Sequence, residues 1–118
     1  MTIRTYMDLE AWKEGIELAV QVYQLTDRFP RYERFGLSSQ MCRAAVSIPS
    51  NVAEGQCKSR KEFQHHVSHS RGSLQELMTL VVIADRRSYG SADLLAEIRV
   101  RADREGRLLS GLRRSLMG

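Results

Sequence analysis

A chain of 118 residues with 42% hydrophobic and 27% charged residues is one ordinary globular domain, placed here over residues 1–118. The formal net charge is +4, carried by 15 Arg against only 3 Lys, a bias suited to planar contacts with phosphate or carboxylate. Two cysteines exclude a disulfide framework and fit a reducing interior, and neither a signal peptide nor a bilayer-length apolar run is present, so a cytoplasmic protein with no membrane partner is expected.

The first predicted helix runs from about residue 8 to 26. Leu9, Trp12, Ile16, Ala19 and Tyr23 recur at spacings of three and four and form its expected inner face. Asp8 is the expected N-cap, and Phe29-Pro30 ends the segment.

The second segment covers roughly residues 33 to 55 and carries two apolar seams. One is Leu37, Met41, Ala44, Ile48 and Asn51; the other is Cys42, Val46, Pro49 and Ala53. At about 100° per residue these seams lie on different sides of the helix. A helix apolar on two sides is buried on two sides, so Cys42, Val46, Pro49 and Ala53 are expected at a subunit interface. Pro49 removes the bond to the Ala45 carbonyl, which predicts a kinked but single helix, with a hydroxyl or water serving the freed oxygen.

Ser59 and Glu62 open the third segment as a capping box. Phe63, Val67, Ser70, Leu74, Leu77, Val81 and Ala84 then keep a strict 4-3 alternation, the pattern of long helices packed at shallow angles. Tyr89-Gly90 stops the helix, and Ser91 caps a fourth whose inner face is Leu94, Ile98, Ala102, Leu109, Leu112 and Leu116. Glu105 falls on that face without explanation. Short connections make the expected fold all-α, an up-down antiparallel four-helix bundle.

The stretch from Arg43 to Gly55, RAAVSIPSNVAEG, is polar enough to suggest a catalytic centre. Arg43, Ser47, Ser50 and Glu54 share one helical stripe, but no His or Lys stands in it as a base. Arg43, Ser47, Asn51 and Glu54 are therefore assigned structural hydrogen bonding, and no catalytic residue or cofactor is expected. His65 and His69 stand at i, i+4, a spacing able to chelate a metal, yet they point away from the Phe63 seam and no second motif exists, so no metal site is assigned.

The arginines remain. Arg104, Arg107 and Arg114 occupy one outward sector of the fourth helix, Arg86 and Arg87 close the third, and Lys58, Arg60 and Lys61 crowd the turn before it. These eight are the candidate nucleic-acid-binding residues, acting through phosphates and nearly blind to base sequence. Few exposed aromatics are expected beside them, so base stacking is not indicated. The alternative is a scaffold or adaptor ring whose partner is another protein.

The segments YMDLEAW, VYQLTDRFP, ERFGLSSQMCRAAVSIPSNVAEG and KEFQHHVSHSRGSLQEL, followed by a Leu/Arg-rich tail, occur in the order of one bacterial family. The chain resembles the four-helix-bundle proteins encoded in intervening sequences of 23S rRNA genes, a family that also includes accessory proteins of diversity-generating retroelements. Just after the AEG block it departs from many members, with Gln56-Cys57-Lys58-Ser59-Arg60 where they continue Gly-Arg/Lys-Ser. The resemblance implies a basic ring, commonly a homopentamer, with no enzymatic activity established in general. For the retroelement relatives it implies binding to RNA or DNA and to a reverse transcriptase.

Overall fold

Four stretches with helical apolar spacing become four helices in the computed structural model, which describes residues 5–118: α1 (Glu10–Thr26), α2 (Leu37–Gln56), α3 (Arg60–Arg86) and α4 (Ala92–Met117). Among the described residues there is no strand, and two short 3₁₀ turns, Tyr6–Asp8 and Arg31–Glu33, complete the architecture. α2 packs on α1 and α3, and α4 closes the set against both α3 and α1. The particle measures 44 × 24 × 19 Å, so its two ends are far apart. No described helix is long and apolar enough to cross a membrane.

The helix ends follow local chemistry. Ser91 Oγ accepts the Leu94 N–H and caps α4, while Gly90 takes φ of 78°, the left-handed conformation that halts the chain beforehand. Ser59 caps α3 through the Glu62 N–H, but the Glu62 carboxylate accepts the Ser59 hydroxyl proton instead of reaching back to a backbone donor. Asp8 is not the cap of α1. It sits in the preceding 3₁₀ turn and accepts the Thr5 N–H, and α1 starts one residue after Leu9.

The core is the expected seam in α3 in full: Phe63, Val67, Ser70, Leu74, Leu77, Val81 and Ala84 are all buried. Facing them are Leu18, Val22 and Leu25 from α1, Met41, Ile48 and Val52 from α2, and Ile98 and Leu109 from α4, each without exposed surface. Each such aliphatic side chain contributes about 1.5–3 kcal/mol of transfer free energy. On α1 the expected Ala19 is buried and Leu9 and Trp12 pack half-buried against the core, but Tyr23 is 49% exposed, and Ala11, Glu14, Gly15, Leu18, Val22 and Leu25 turn inward.

α2 passes through Pro49 as one helix. Small buried residues, Ala44 and Ala45, precede the proline. Extra donors gather just past Ala45: Asn51 Nδ2 donates to the Ser47 carbonyl at 2.9 Å and Ser70 Oγ to the Ile48 carbonyl at 2.8 Å. The expected hydroxyl is thus present, but it serves Ile48. Pro49 itself corrects the interface assignment, because it is buried inside the bundle against Gly15, where a Cβ would stand 3.2 Å from the Pro49 Cβ. Of the other assigned interface residues, Val46 is 41% exposed and Cys42 and Ala53 are half-buried, with Cys42 Sγ 3.4 Å from Thr26 Oγ1.

Candidate nucleic-acid interface

The polar part of the Arg43–Gly55 stretch is a hydrogen-bond chain that ties α2 to α3. Ser47 Oγ meets Ser73 Oγ at 2.8 Å, Asn51 Nδ2 reaches Ser47, and Asn51 Oδ1 lies 3.0 Å from His66 Nδ1. Lys58 Nζ stands 3.3 Å from His66 Nε2 and Glu54 Oε2 3.8 Å from Nδ1. An ammonium can only donate, so Nε2 accepts and the imidazole proton sits on Nδ1, aimed at Asn51. The residues that looked like a catalytic group are used as interhelical fasteners, with His66 as the member that helical spacing within α2 could not supply. Arg43 stays exposed at the edge of this seam.

The eight candidate cations do not form one surface. Arg60 donates to the Leu116 carbonyl at 3.4 Å, which brings the Lys58–Lys61 turn against the end of α4 and its Arg113 and Arg114. Arg86 and Arg87 lie at the opposite pole, because α3 holds 27 residues and spans about 40 Å. Arg87 is exposed but engaged along the chain, donating to the Tyr89 hydroxyl and lying 5.6 Å over its ring.

The sector on α4 also divides. Arg104 pairs with Glu14 Oε2 at 2.8 Å, and Arg101 binds the other oxygen at 2.6 Å, so the buried Glu14 carboxylate consumes both guanidiniums. Arg107 pairs with Asp103 one turn away, exposed on both sides. Arg114 has no carboxylate partner among the described residues, and it lines a groove of about 690 Å³ between α3 and α4 with Arg71, Arg99 and Arg107 over Leu74, Met78, Ala102 and Gly106. Arg71 and Arg99 were missed in the sequence because the groove that joins them forms only where α3 packs on α4.

Glu105, unexplained by the periodicity, is fully buried, and neither carboxyl oxygen has a hydrogen-bond partner. Its Oε2 occupies the space a side chain at Gly15 would need: a Cβ there would come within 2.8 Å. Burial pushes the Glu105 carboxyl up to about 9, the negative charge of Glu14 pushes the same way, and Arg104 opposes them. It is a neutral carboxylic acid at neutral pH.

His65 and His69 are exposed on α3, and among the described residues no three His, Cys, Asp or Glu side chains gather as metal ligands. No curated protein matches the chain. A crystal structure of a protein with unknown function from the S23 ribosomal protein family of Bacteroides thetaiotaomicron VPI-5482 superposes with a TM-score of 0.80 at 20% identity, covering 87% of this chain and 97% of that one. That likeness extends to the fold. Residues 7–111 match the family model described as 23S rRNA-intervening sequence protein, and the chain belongs to that family.

Proposed function

We propose that the chain is a non-enzymatic, cytoplasmic subunit of a ring-shaped homo-oligomer, an up-down antiparallel bundle that docks nucleic-acid phosphates on cationic ends. The observation that carries this reading is the pole where Lys61, Arg113 and Arg114 stand exposed without a carboxylate partner among the described residues, beside Arg60. Cations left without partners break no ion pair on turning toward phosphate, whereas Arg101 and Arg104 would have to abandon a buried carboxylate. RNA or DNA binding is expected to weaken steeply with salt, and the slope of log affinity against log salt should fall by about one for each phosphate contact removed. Changing Lys61, Arg113 and Arg114 together to Gln should weaken binding, while Arg104→Gln should change affinity little. Titrations across a salt series check both, and an absence of nucleic-acid binding at low salt would reject the reading.

The ring is supported by apolar side chains on the outer face of α1 and α2, where Val20, Tyr23 and Val46 stay exposed. Light scattering should give a multimeric mass, with five subunits as the expected number, and Val46→Glu should lower it. A monomer would remove the ring. The adaptor reading has its own observation in the α3–α4 groove, whose apolar floor under four arginines suits an acidic protein partner. A reverse transcriptase is the partner that the retroelement relatives suggest for it.

A further inference from the structure

Against the expectation of few exposed aromatics beside the cations, the corner between α1 and α2 holds two large aromatic side chains in solvent: Phe35 is 89% exposed and Tyr32 65%. Tyr32 is fixed at its phenol end. Its hydroxyl lies 2.9 Å from that of Tyr89, which donates to Glu33 Oε2 at 3.0 Å, so Tyr32 is the donor to Tyr89. Tyr89 is buried and rests on Phe29 with ring centroids 5.1 Å apart. The Tyr32 ring is thus anchored at its tip while much of its surface stays open. Phe35 has no such anchor, and the Arg34 guanidinium lies 5.4 Å from its ring centroid.

The same corner is cationic. Arg28, Arg31 and Arg34 are exposed on it, and the Tyr32–Tyr89 contact brings the end of α3, with Arg86 and Arg87, alongside. None of these five arginines has a carboxylate partner among the described residues. Of the nearby acids, Glu33 accepts from the Leu37 N–H and Tyr89 and Asp85 pairs with Arg99, which leaves Asp27 and Asp93 without ion pairs among the described residues. Guanidiniums without carboxylate partners, interleaved with open aromatic faces, are what a single strand requires, since phosphates take the charge and unpaired bases take the rings. A duplex keeps its base faces inside its own stack and gains only the charge term. A second copy of this corner would meet like charge.

We propose that this corner, through Phe35 and Tyr32 with Arg28, Arg31 and Arg34, stacks unpaired bases of single-stranded nucleic acid. The proposal rests on the nucleic-acid reading above and narrows its ligand to single strands. It is tested on the full chain with labelled oligo(U), oligo(dU) and a duplex of equal length. Single strands should bind more tightly than the duplex. Phe35→Ala should weaken single-strand binding roughly five-fold or more, the loss of one stacked base, with duplex binding and thermal stability unchanged. Phe35→Trp should restore affinity and show fluorescence quenching on oligo(U) that the native chain, whose one tryptophan is Trp12, lacks. Loss on both strands, or on one alone, supports stacking, the latter also naming the sugar preferred. Equal loss on duplex, or no loss at all, overturns the stacking site and leaves phosphate docking standing. A fall in oligomeric mass with unchanged binding makes Phe35 a subunit contact and overturns it too. A chain that binds none of the three probes fails both readings.

Discussion

Glu105→Gln is expected to stabilise the protein at neutral pH and to flatten the pH dependence of its stability. In the folded chain burial and the Glu14 charge hold the Glu105 carboxyl up to about 9, against an ordinary value of 4.5 in the unfolded chain. Between those values the folded state keeps a proton that the unfolded state has released. Stability therefore falls as pH rises through that window, by about 1.4 kcal/mol per pH unit, and levels off above it. Near pH 7 the accumulated penalty is about 3 kcal/mol, an upper figure that relaxation around the carboxyl reduces. Gln keeps the shape and the buried polar atoms but cannot ionise, so it removes the window alone. Urea denaturation from pH 4 to 9 should show native and variant converging at the acid end and separating steadily above. Parallel curves would mean that Glu105 is ionised in the folded protein.

That prediction depends on a residue the sequence flagged but could not interpret. A 4-3 repeat in α3 contains its own evidence, and every residue of that seam proved buried, because a long helix between two others must keep one face inward along its whole length. Glu105 breaks the repeat in α4, and its environment is assembled from Gly15 on α1 and Pro49 on α2, so no spacing within α4 could have announced it. The cations divide for a similar reason. Helical spacing groups Arg104 with Arg107 and Arg114, but whether a charge is available depends on what the neighbouring helix offers, and α1 offers Glu14 to Arg104 and Arg101. The segment Arg28–Phe35, RFPRYERF, had its arginines and aromatics in plain view. It lacks periodicity, and it is the contacts of Phe29, Tyr32 and Glu33 with Tyr89 that show it shares an end with Arg86 and Arg87. The second seam of α2 failed at Pro49 because a proline that can pack against a glycine on the next helix finds its apolar contact within one subunit.

Gly55→Ala should destabilise the bundle by about 1–3 kcal/mol, although alanine is the better helix former. A Cβ at Gly55 would stand 2.7 Å from both the His66 Cβ and the Phe63 Cδ1, closer than carbon atoms can approach. The His66 Cβ is the rigid root of its side chain, so relief requires α2 and α3 to separate or His66 to turn away. Either movement also strains the bonds from His66 to Asn51 and Lys58, which coupled the stretch Ser47–Lys58 to α3. Gly72, in the middle of α3, is the internal control: a Cβ there meets nothing within 4 Å. Gly72→Ala should therefore stabilise by about 1 kcal/mol through helix propensity alone. The opposite signs separate close packing from backbone freedom as the reason for glycine in the AEG block. Equal stabilisation by both changes in urea denaturation would show that α2 and α3 do not approach so closely in solution. A loss at Gly55 combined with a gain at Gly72 places the constraint at the crossing. The polar motif is then best understood as the fastening beside that crossing: Gly55 brings the helices together, and Asn51 with His66 holds them in register.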